Sequence, residues 1–144
     1  MIDSFAELTL ETRDPGRLER FYREAFGFDV LSREGDRIWL AVGERARLGL
    51  WTPGSKALRG DPYGTTPRGE DEGGRHVHFA FGVSPGGLDR LAERLRAHGD
   101  VRGPVDHPGG DRSIYIEDPE GNVVEVWDFF RRGDGARDGV DALR

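Results

Sequence analysis

The sequence S-I-Y-I-E-D-P-E-G-N-V-V-E-V-W, residues 113–127, contains two alternating apolar runs on either side of D-P-E-G-N. Pro119 suits the first central position of a turn, and Gly121 suits a backbone angle that other residues resist. The segment therefore predicts a β-hairpin. Alternation along its second strand places Glu125 on the face opposite to the neighbouring valines. A carboxylate within so apolar a strand is costly unless it is paired, so Glu125 should have a partner elsewhere in the chain.

A repeat surrounds this hairpin. D-P-G-R-L-E-R-F at residues 14–21 and S-P-G-G-L-D-R-L at residues 84–91 each predict the start of a helix, with Asp14 or Ser84 as N-cap and proline as the first helical residue. One predicted strand precedes each helix and three follow it. These strands cover residues 5–12, 28–33, 36–42 and 46–52, and then 76–83, 101–106, 112–117 and 123–129. The repeat predicts an α+β fold of two tandem βαβββ modules.

The chain of 144 residues has the length of one domain. Module one covers about residues 5–52 and module two about residues 76–129. Residues 53–75, between the modules, are rich in Gly, Pro and charge, and form either a lid over a site or a simple connector. The polar tail at 130–144 either frays or packs on a partner chain.

Composition excludes several classes of function. The sequence has no cysteine, so thiolate metal sites and cysteine nucleophiles are excluded, and cytoplasmic residence is the default expectation. The formal net charge of −6 argues against nucleic acid as a partner. No apolar run is long enough to span a membrane, and the N-terminus lacks the layout of a signal peptide.

The repeat also aligns residues of the types that bind metals. Glu7 and His78 occupy equivalent positions in the first strands of the two modules, and Gly49 and Glu125 do so in the last strands. One histidine and two carboxylates suit Mn²⁺, Fe²⁺, Co²⁺, Ni²⁺ or Zn²⁺, with open positions for water or substrate. The sequence thus predicts a catalytic metal site of Glu7, His78 and Glu125. Alternatively, His78 is a rim residue and Glu7 is simply solvated.

Other residues on the same faces indicate a small-molecule pocket with aromatic walls. The predicted substrate-binding residues are Thr9, Trp39, Trp51, Ser113, Tyr115 and Trp127. Tyr115 and Glu7 are the candidate catalytic groups, Tyr115 as a proton donor or hydrogen-bond donor near the metal. Alternatively, Trp39 and Trp51 pack at a dimer interface and Tyr115 is merely packed. His98 and His107 are predicted to lie on the surface.

The chain resembles the vicinal oxygen chelate superfamily, also called the glyoxalase/bleomycin-resistance/dioxygenase superfamily, over about residues 5–129. E-L-T-L-E-T-R-D-P, F-Y-R-E-A-F-G-F, H-F-A-F-G-V and the hairpin sequence carry the resemblance. It implies that the two modules form cupped mixed sheets around a divalent metal held by Glu7, His78 and Glu125, and that substrates chelate the metal through neighbouring oxygens. It also implies a homodimer in which the N-terminal module of one chain faces the C-terminal module of the other.

Two residues depart from the patterns of particular family members. Ring-cleaving dioxygenases and fosfomycin-resistance enzymes usually have histidine where this chain has Glu7, and glyoxalase I has a ligand where this chain has Gly49. Thr9 matches a substrate-contacting threonine of fosfomycin-resistance proteins. Apart from Arg112, however, the basic residues that would hold a phosphonate are missing, which argues against that activity.

Two main functions remain open on the sequence. The first is a metal-dependent isomerase, lyase or dioxygenase acting on a small oxygenated metabolite. The second is a metal-free protein of the bleomycin-resistance type, which would sequester a cationic drug between the tryptophans of this acidic chain. A third option is a protein that keeps the fold and only binds a metabolite.

Overall fold

Each half of the chain folds as a strand, a helix and three further strands. The structure, a computed structural model, describes residues 5–52, 77–84, 86–108 and 110–128. The chain divides into two units, Met1–Val77 and His78–Arg144. The predictions for residues 53–75, for His76 and for the tail at 130–144 lie outside the described residues.

The first unit contains one mixed sheet. Its elements are β1 (Glu7–Glu11), α1 (Pro15–Phe21) continued by a π-helical turn (Tyr22–Phe26), β2 (Val30–Glu34), β3 (Arg37–Val42) and β4 (Ala46–Trp51). The strand order is β1-β4-β3-β2, with β1 parallel to β4 and the other neighbours antiparallel.

The second unit repeats this arrangement. Its elements are β5 (His78–Gly82), α2 (Leu88–Leu95), β6 (Arg102–Asp106), β7 (Arg112–Glu117) and β8 (Val123–Trp127). The order is β5-β8-β7-β6, again with the first strand parallel to the last. The prediction of two βαβββ modules is confirmed. None of the described helices is long and apolar enough to cross a lipid bilayer.

The two helices begin differently, although their sequences are similar. Asp14 caps α1 as predicted, because its Oδ1 accepts a hydrogen bond of 2.9 Å from the backbone N–H of Arg17. The predicted Ser84 cap is wrong. The Ser84 carbonyl accepts from Gly87 N at 2.8 Å in a turn, Gly86 adopts a φ of 78°, and α2 begins only at Leu88 with Gly87 as N-cap. The positive φ, which glycine tolerates, delays the helix.

Each helix covers one face of its own sheet. Helix α1 packs on β3 and β4, and α2 packs on β7. Alternation places aliphatic side chains on these faces, including Leu10, Leu40 and Leu50 in the first unit and Ile114 and Val124 in the second, all buried. The opposite face of each sheet, called the far face below, carries the polar and aromatic residues from which the candidate site is built.

The side-chain carboxylate of Asp118 stabilises the hairpin turn between β7 and β8 by hydrogen bonds. Gly121 N donates to the Asp118 carbonyl at 2.9 Å, with Pro119 at the first central position, and Gly121 has a φ of 82°. Asp118 Oδ1 accepts from the backbone N–H groups of Glu120 and Asn122 at 2.9 Å, and its Oδ2 accepts from Asn122 Nδ2 at 2.8 Å. The predicted turn chemistry is confirmed, and it sets β8 opposite β7.

We expect Glu19→Gln to destabilise the protein at neutral pH by about 1–2 kcal/mol. The Glu19 side chain is only 10% exposed and pairs with Arg33 and Arg23. The hydrogen bond from Arg33 lowers the pKa of Glu19, and this effect, together with the charges of both arginines, outweighs the opposing effect of burial. Glu19 therefore binds a proton less readily in the folded state than in the unfolded state.

This stabilisation is present above the ordinary glutamate pKa of 4.5 and is lost as the pH falls through the lower folded value. Urea denaturation of wild type and Glu19→Gln across acidic and neutral pH checks the prediction. The two curves should converge at low pH. A difference in stability that stays constant down to pH 3 would contradict it.

Candidate functional site

The two far faces present equivalent positions with different side chains. In the first sheet Glu7 lies beside Arg47, and Thr9 lies beside Gly49. In the second sheet His78 lies beside Val123, and Ala80 lies beside Glu125. Glu7 therefore matches His78, and Gly49 matches Glu125. The equivalence seen in the sequence repeat holds in the register of the strands.

His78 and Glu125 form the polar pair of the second sheet. His78 Nε2 lies 3.1 Å from Glu125 Oε2. The Glu125 side chain is 12% exposed and that of His78 is 55% exposed, so the pair joins a buried carboxylate to an imidazole at the surface. Because a carboxylate only accepts, the network assigns the proton of this hydrogen bond to His78 Nε2. The strand carboxylate of the hairpin thus has the partner that its burial requires.

A chain of hydrogen bonds continues from Glu125 into the sheet. Tyr115 donates its hydroxyl to Glu125 Oε1 at 2.9 Å, and Ser113 donates to the Tyr115 oxygen at 2.9 Å. His107 Nε2 lies 2.9 Å from Ser113 Oγ. Since the Ser113 proton is already directed at Tyr115, His107 acts as the donor. Five side chains, from His78 to His107, therefore form one connected network.

This network influences the protonation of Tyr115. The hydrogen bond from Ser113 lowers the pKa of Tyr115, but burial and the neighbouring Glu125 carboxylate together outweigh it and raise the pKa above 10.0. Tyr115 therefore stays protonated at neutral pH. The phenol is therefore a hydrogen-bond donor rather than a base.

Trp127 packs beside His107 at one end of this network. Its indole N–H donates to Asp111 Oδ2, and its ring lies 5.1 Å from the ring of His107, measured between centroids. His107 is half-buried, whereas the sequence analysis predicted that it lies on the surface. Ser113 is fully buried, and its hydroxyl is engaged by Tyr115 and His107.

Glu7 has a different environment in the first sheet. Thr9 Oγ1 donates to Glu7 Oε1 at 2.9 Å, and Arg47 Nε forms an ion pair with Glu7 Oε2. Gly49 leaves the room for this arrangement. A Cβ at that position would lie 3.1 Å from Thr9 Oγ1 and 3.4 Å from Glu7 Oε1. Each carboxylate oxygen keeps a further acceptor position, so Glu7 retains the capacity to bind a cation.

Trp39 and Trp51 form an aromatic pair on the same far face. Their rings meet edge to face with centroids 5.9 Å apart, and both side chains are buried. Arg47 lies over Trp39 at 5.5 Å, and the fully buried Arg37 lies over Trp51 at 4.4 Å. The aromatic wall predicted from the sequence is therefore flanked by two guanidinium groups, which the sequence interpretation missed.

The predicted residues fall into two groups, each within its own unit. The first unit brings together Glu7, Thr9, Trp39 and Trp51, and the second brings together His78, Ser113, Tyr115, Glu125 and Trp127. The residues that sequence reasoning missed are His107, Arg37 and Arg47. Alternation along β3 and β4 already places both arginines on the far face, so that signal was available.

His78 and Glu125 have the spacing of adjacent metal ligands. Two atoms bound at right angles to one ion, each about 2.1 Å from it, lie about 3 Å apart, as Nε2 and Oε2 do. Within the described ranges, no group of three or more His, Cys, Asp or Glu side chains is arranged to hold a metal ion. The residues present therefore fit a divalent ion through this pair, with further ligands needed to complete its coordination.

Comparisons with known proteins identify the family. A family model described as the Glyoxalase/Bleomycin resistance protein/Dioxygenase superfamily matches residues 4–126. The chain is similar to the structure of lactoylglutathione lyase from Agrobacterium tumefaciens, with 28% identity and a TM-score of 0.72 over 88% of this chain and 93% of that one.

Two further relatives show the same similarity. A glyoxalase/bleomycin resistance protein/dioxygenase from Nocardioides is 28% identical, with a TM-score of 0.68 over 95% of this chain and 90% of that one. The virulence protein STM3117 of Salmonella typhimurium is 28% identical over 130 residues, which cover 88% of this chain and 84% of that protein. The βαβββ repeat, the residues on its far faces and these similarities establish that the chain belongs to the glyoxalase/bleomycin resistance protein/dioxygenase superfamily.

Proposed function

We propose that the protein is a metal-dependent enzyme acting on a small oxygenated metabolite that chelates the metal through neighbouring oxygens. The observation that carries this proposal is the 3.1 Å contact between His78 Nε2 and Glu125 Oε2, with Tyr115 bonded to the other carboxylate oxygen. This distance also suits two adjacent ligands of one ion, and the phenol beside it carries a proton. The similarity to lactoylglutathione lyase supports a lyase or isomerase, and the description of the family also includes dioxygenases.

His78 and Glu125 are assigned as two ligands of the ion and Glu7 as the third. One imidazole and two carboxylates suit Mn²⁺, Fe²⁺, Co²⁺, Ni²⁺ or Zn²⁺, and the two carboxylates neutralise the charge of the ion. When bound, such an ion supplies Lewis acidity that polarises a substrate oxygen. Glu7 keeps an acceptor position on each oxygen beside its bonds to Thr9 and Arg47, and as a carboxylate in the site it is also suited to accept a substrate proton.

The remaining network residues orient the reacting groups. Glu125 and Ser113 hold the Tyr115 hydroxyl from two sides, so the phenol has one preferred direction. His107 holds Ser113 in turn. The single hydroxyl proton of Tyr115 is directed at Glu125, so donation to a substrate oxygen requires the hydroxyl to turn away from that carboxylate. Thr9, Trp39 and Trp51 in the first sheet and Trp127 in the second are proposed to contact the substrate.

We expect protein purified without an affinity tag or chelator to contain about one divalent ion per chain. Elemental analysis measures this content directly. Dialysis against a chelator should lower the melting temperature, and adding Mn²⁺, Ni²⁺ or Zn²⁺ should restore it, because an ion that binds only the folded state stabilises it. A metal-free protein whose melting temperature does not respond to any of these ions would contradict the proposal.

We also propose that the functional form is a homodimer in which Glu7 of one chain joins His78 and Glu125 of the other. Co-expressed Glu7→Ala and His78→Ala chains test this, because a mixed dimer then keeps one complete ligand set. At a limiting metal concentration we expect the mixture to bind about one quarter as much metal as wild type, whereas each variant alone binds far less than the mixture. No recovery in the mixture would show that the ligands come from a single chain.

The metal-free alternative is less well supported. A groove for a cationic drug requires an aromatic wall with nearby negative charge, but Arg37 and Arg47 lie over Trp51 and Trp39. These guanidinium groups repel a cation. A titration of tryptophan fluorescence with a bleomycin-type compound tests the alternative, which we expect to give no quenching. Cytoplasmic residence, like the drug-binding function, stays a prediction from the sequence.

A further inference from the structure

Arg37 carries a buried positive charge. It opens β3 on the far face of the first sheet, is only 2% exposed, and places both Nη1 and Nη2 out of reach of solvent. Within the described part of the chain neither nitrogen has an acceptor. Its cross-strand neighbour Glu34 is exposed and forms no ion pair with it. An unpaired buried charge is strongly destabilising, so the position requires a reason.

Trp39 and Trp51, the neighbours of Arg37, also carry buried hydrogen-bond donors. The indole N–H groups of Trp39 and Trp51 are also buried without an acceptor among the described residues. Trp51 is the direct cross-strand partner of Arg37, and Trp39 lies two residues further along β3. Guanidinium and indole groups only donate hydrogen bonds. The cluster therefore presents donors, with one full positive charge, on two adjacent strands.

The geometry of the cluster suits a planar acid. The Arg37 guanidinium lies over the ring of Trp51 at 4.4 Å, and its buried Nη1 and Nη2 have no acceptor among the described residues. A guanidinium edge matches the two oxygens of a carboxylate. The indole rings at its side provide an apolar surface for the rest of the ligand.

The cluster adjoins Glu7, the proposed metal ligand. A Cβ at Gly49 would lie 3.0 Å from Trp51 Nε1 and 3.4 Å from Glu7 Oε1, so these two atoms flank the same glycine. Glu7 and Thr9, on this side of the cluster, are partly exposed. The cluster and the proposed metal ligand are therefore adjacent on the far face.

We propose that Arg37, Trp39 and Trp51 form an anion-binding site that takes the carboxylate of a small planar organic acid. The inference rests on the proposed function only in so far as this acid is the substrate. The anion-binding site itself requires no metal, so experiments can contradict this site and the metal-dependent function separately.

Fluorescence titration of chelator-treated, tag-free protein tests the site, since two of the three tryptophans belong to it. Benzoate, acetate and inorganic phosphate are the probes, and benzamide is the neutral counterpart of benzoate. We expect benzoate to quench the fluorescence and raise the melting temperature, while benzamide does neither. The absence of any response to all three anions at millimolar concentrations would overturn the proposal.

Two variants separate a binding role from a structural one. Arg37→Met should weaken benzoate binding at least about tenfold, because hydrogen bonds to a charged group are lost. Without ligand it should leave the melting temperature unchanged or higher, since an apolar side chain replaces an unpaired charge. Arg13→Met removes the same charge at an exposed position and should change neither quantity.

Several outcomes would contradict the proposal. If Arg37→Met fails to fold or melts at a lower temperature, the guanidinium is structural. A change in oligomeric state with unchanged benzoate affinity would assign Arg37 to a subunit interface. Arg37→Lys keeps the charge without the planar fork, and it should also bind benzoate more weakly than wild type. If the protein binds benzoate but no metal, the anion site is supported and the metal-dependent function is contradicted. If it binds metal but none of the three anions, the anion site is contradicted and the metal-dependent function is not.

Discussion

Replacing His78 by alanine is expected to weaken the binding of a divalent ion by at least about 100-fold. The loss of a residue that merely orients a metal ligand already costs about 10–100-fold in affinity, and His78 is proposed to be a ligand itself. Glu125→Gln should have an effect of similar size, because it removes the ligand charge while keeping the shape of the side chain. Isothermal titration of chelator-treated protein with Ni²⁺ or Mn²⁺ measures both effects.

His98→Ala is the matched control for this experiment. His98 lies just after α2, where its backbone N–H donates to the Leu95 carbonyl, and it is not connected to the network of His78. We expect this variant to bind metal as tightly as wild type. Equal affinities of His78→Ala and wild type, or an equal loss in His98→Ala, would show that His78 is not a ligand.

Asp118→Ala is expected to have the largest effect on stability, a loss of about 2–4 kcal/mol, which corresponds to roughly 10 °C in melting temperature. The Asp118 carboxylate accepts three hydrogen bonds within the hairpin turn, and the residue is buried. Removing it leaves buried donors without acceptors. The turn also sets Tyr115 opposite Glu125, so the same change should loosen the candidate site.

Two controls define the origin of this loss, which chemical denaturation measures. Asp118→Asn keeps an acceptor for the backbone N–H groups and should cost less than Asp118→Ala. Asp100 is an exposed acid paired with Arg102 on the surface, so Asp100→Ala should change the stability by no more than about 0.5 kcal/mol. If Asp118→Ala is no more destabilising than Asp100→Ala, the carboxylate does not hold the turn.

The architecture could be predicted because each module carries its own local signals. D-P-E-G-N predicted the hairpin, and Asp14-Pro15 predicted the start of α1, since turns and caps depend on residues close in sequence. The start of α2 was not predicted correctly. Ser84 and Asp14 look alike in sequence, but the backbone at Gly86 takes a positive φ and moves the start of the helix to Leu88.

Part of the site could be predicted for a similar reason. The repeat determines which strands are neighbours, and strand register then brings His78 next to Glu125 without knowledge of side-chain conformation. The role of His107 could not be inferred in this way, because it depends on the conformation of the turn between β6 and β7. The pairing of Arg47 with Glu7 likewise depends on side-chain rotamers and on the space left by Gly49.

The most direct test of the central claim is X-ray absorption spectroscopy of the Zn²⁺-loaded protein. Scattering from the outer atoms of an imidazole ring reports how many histidines bind the metal. We expect one imidazole in a shell of nitrogen and oxygen ligands at about 2.0–2.1 Å, and no imidazole in His78→Ala. An unchanged imidazole signal in His78→Ala, or two or more imidazoles in wild type, would contradict the assignment of His78 and Glu125 as the metal site.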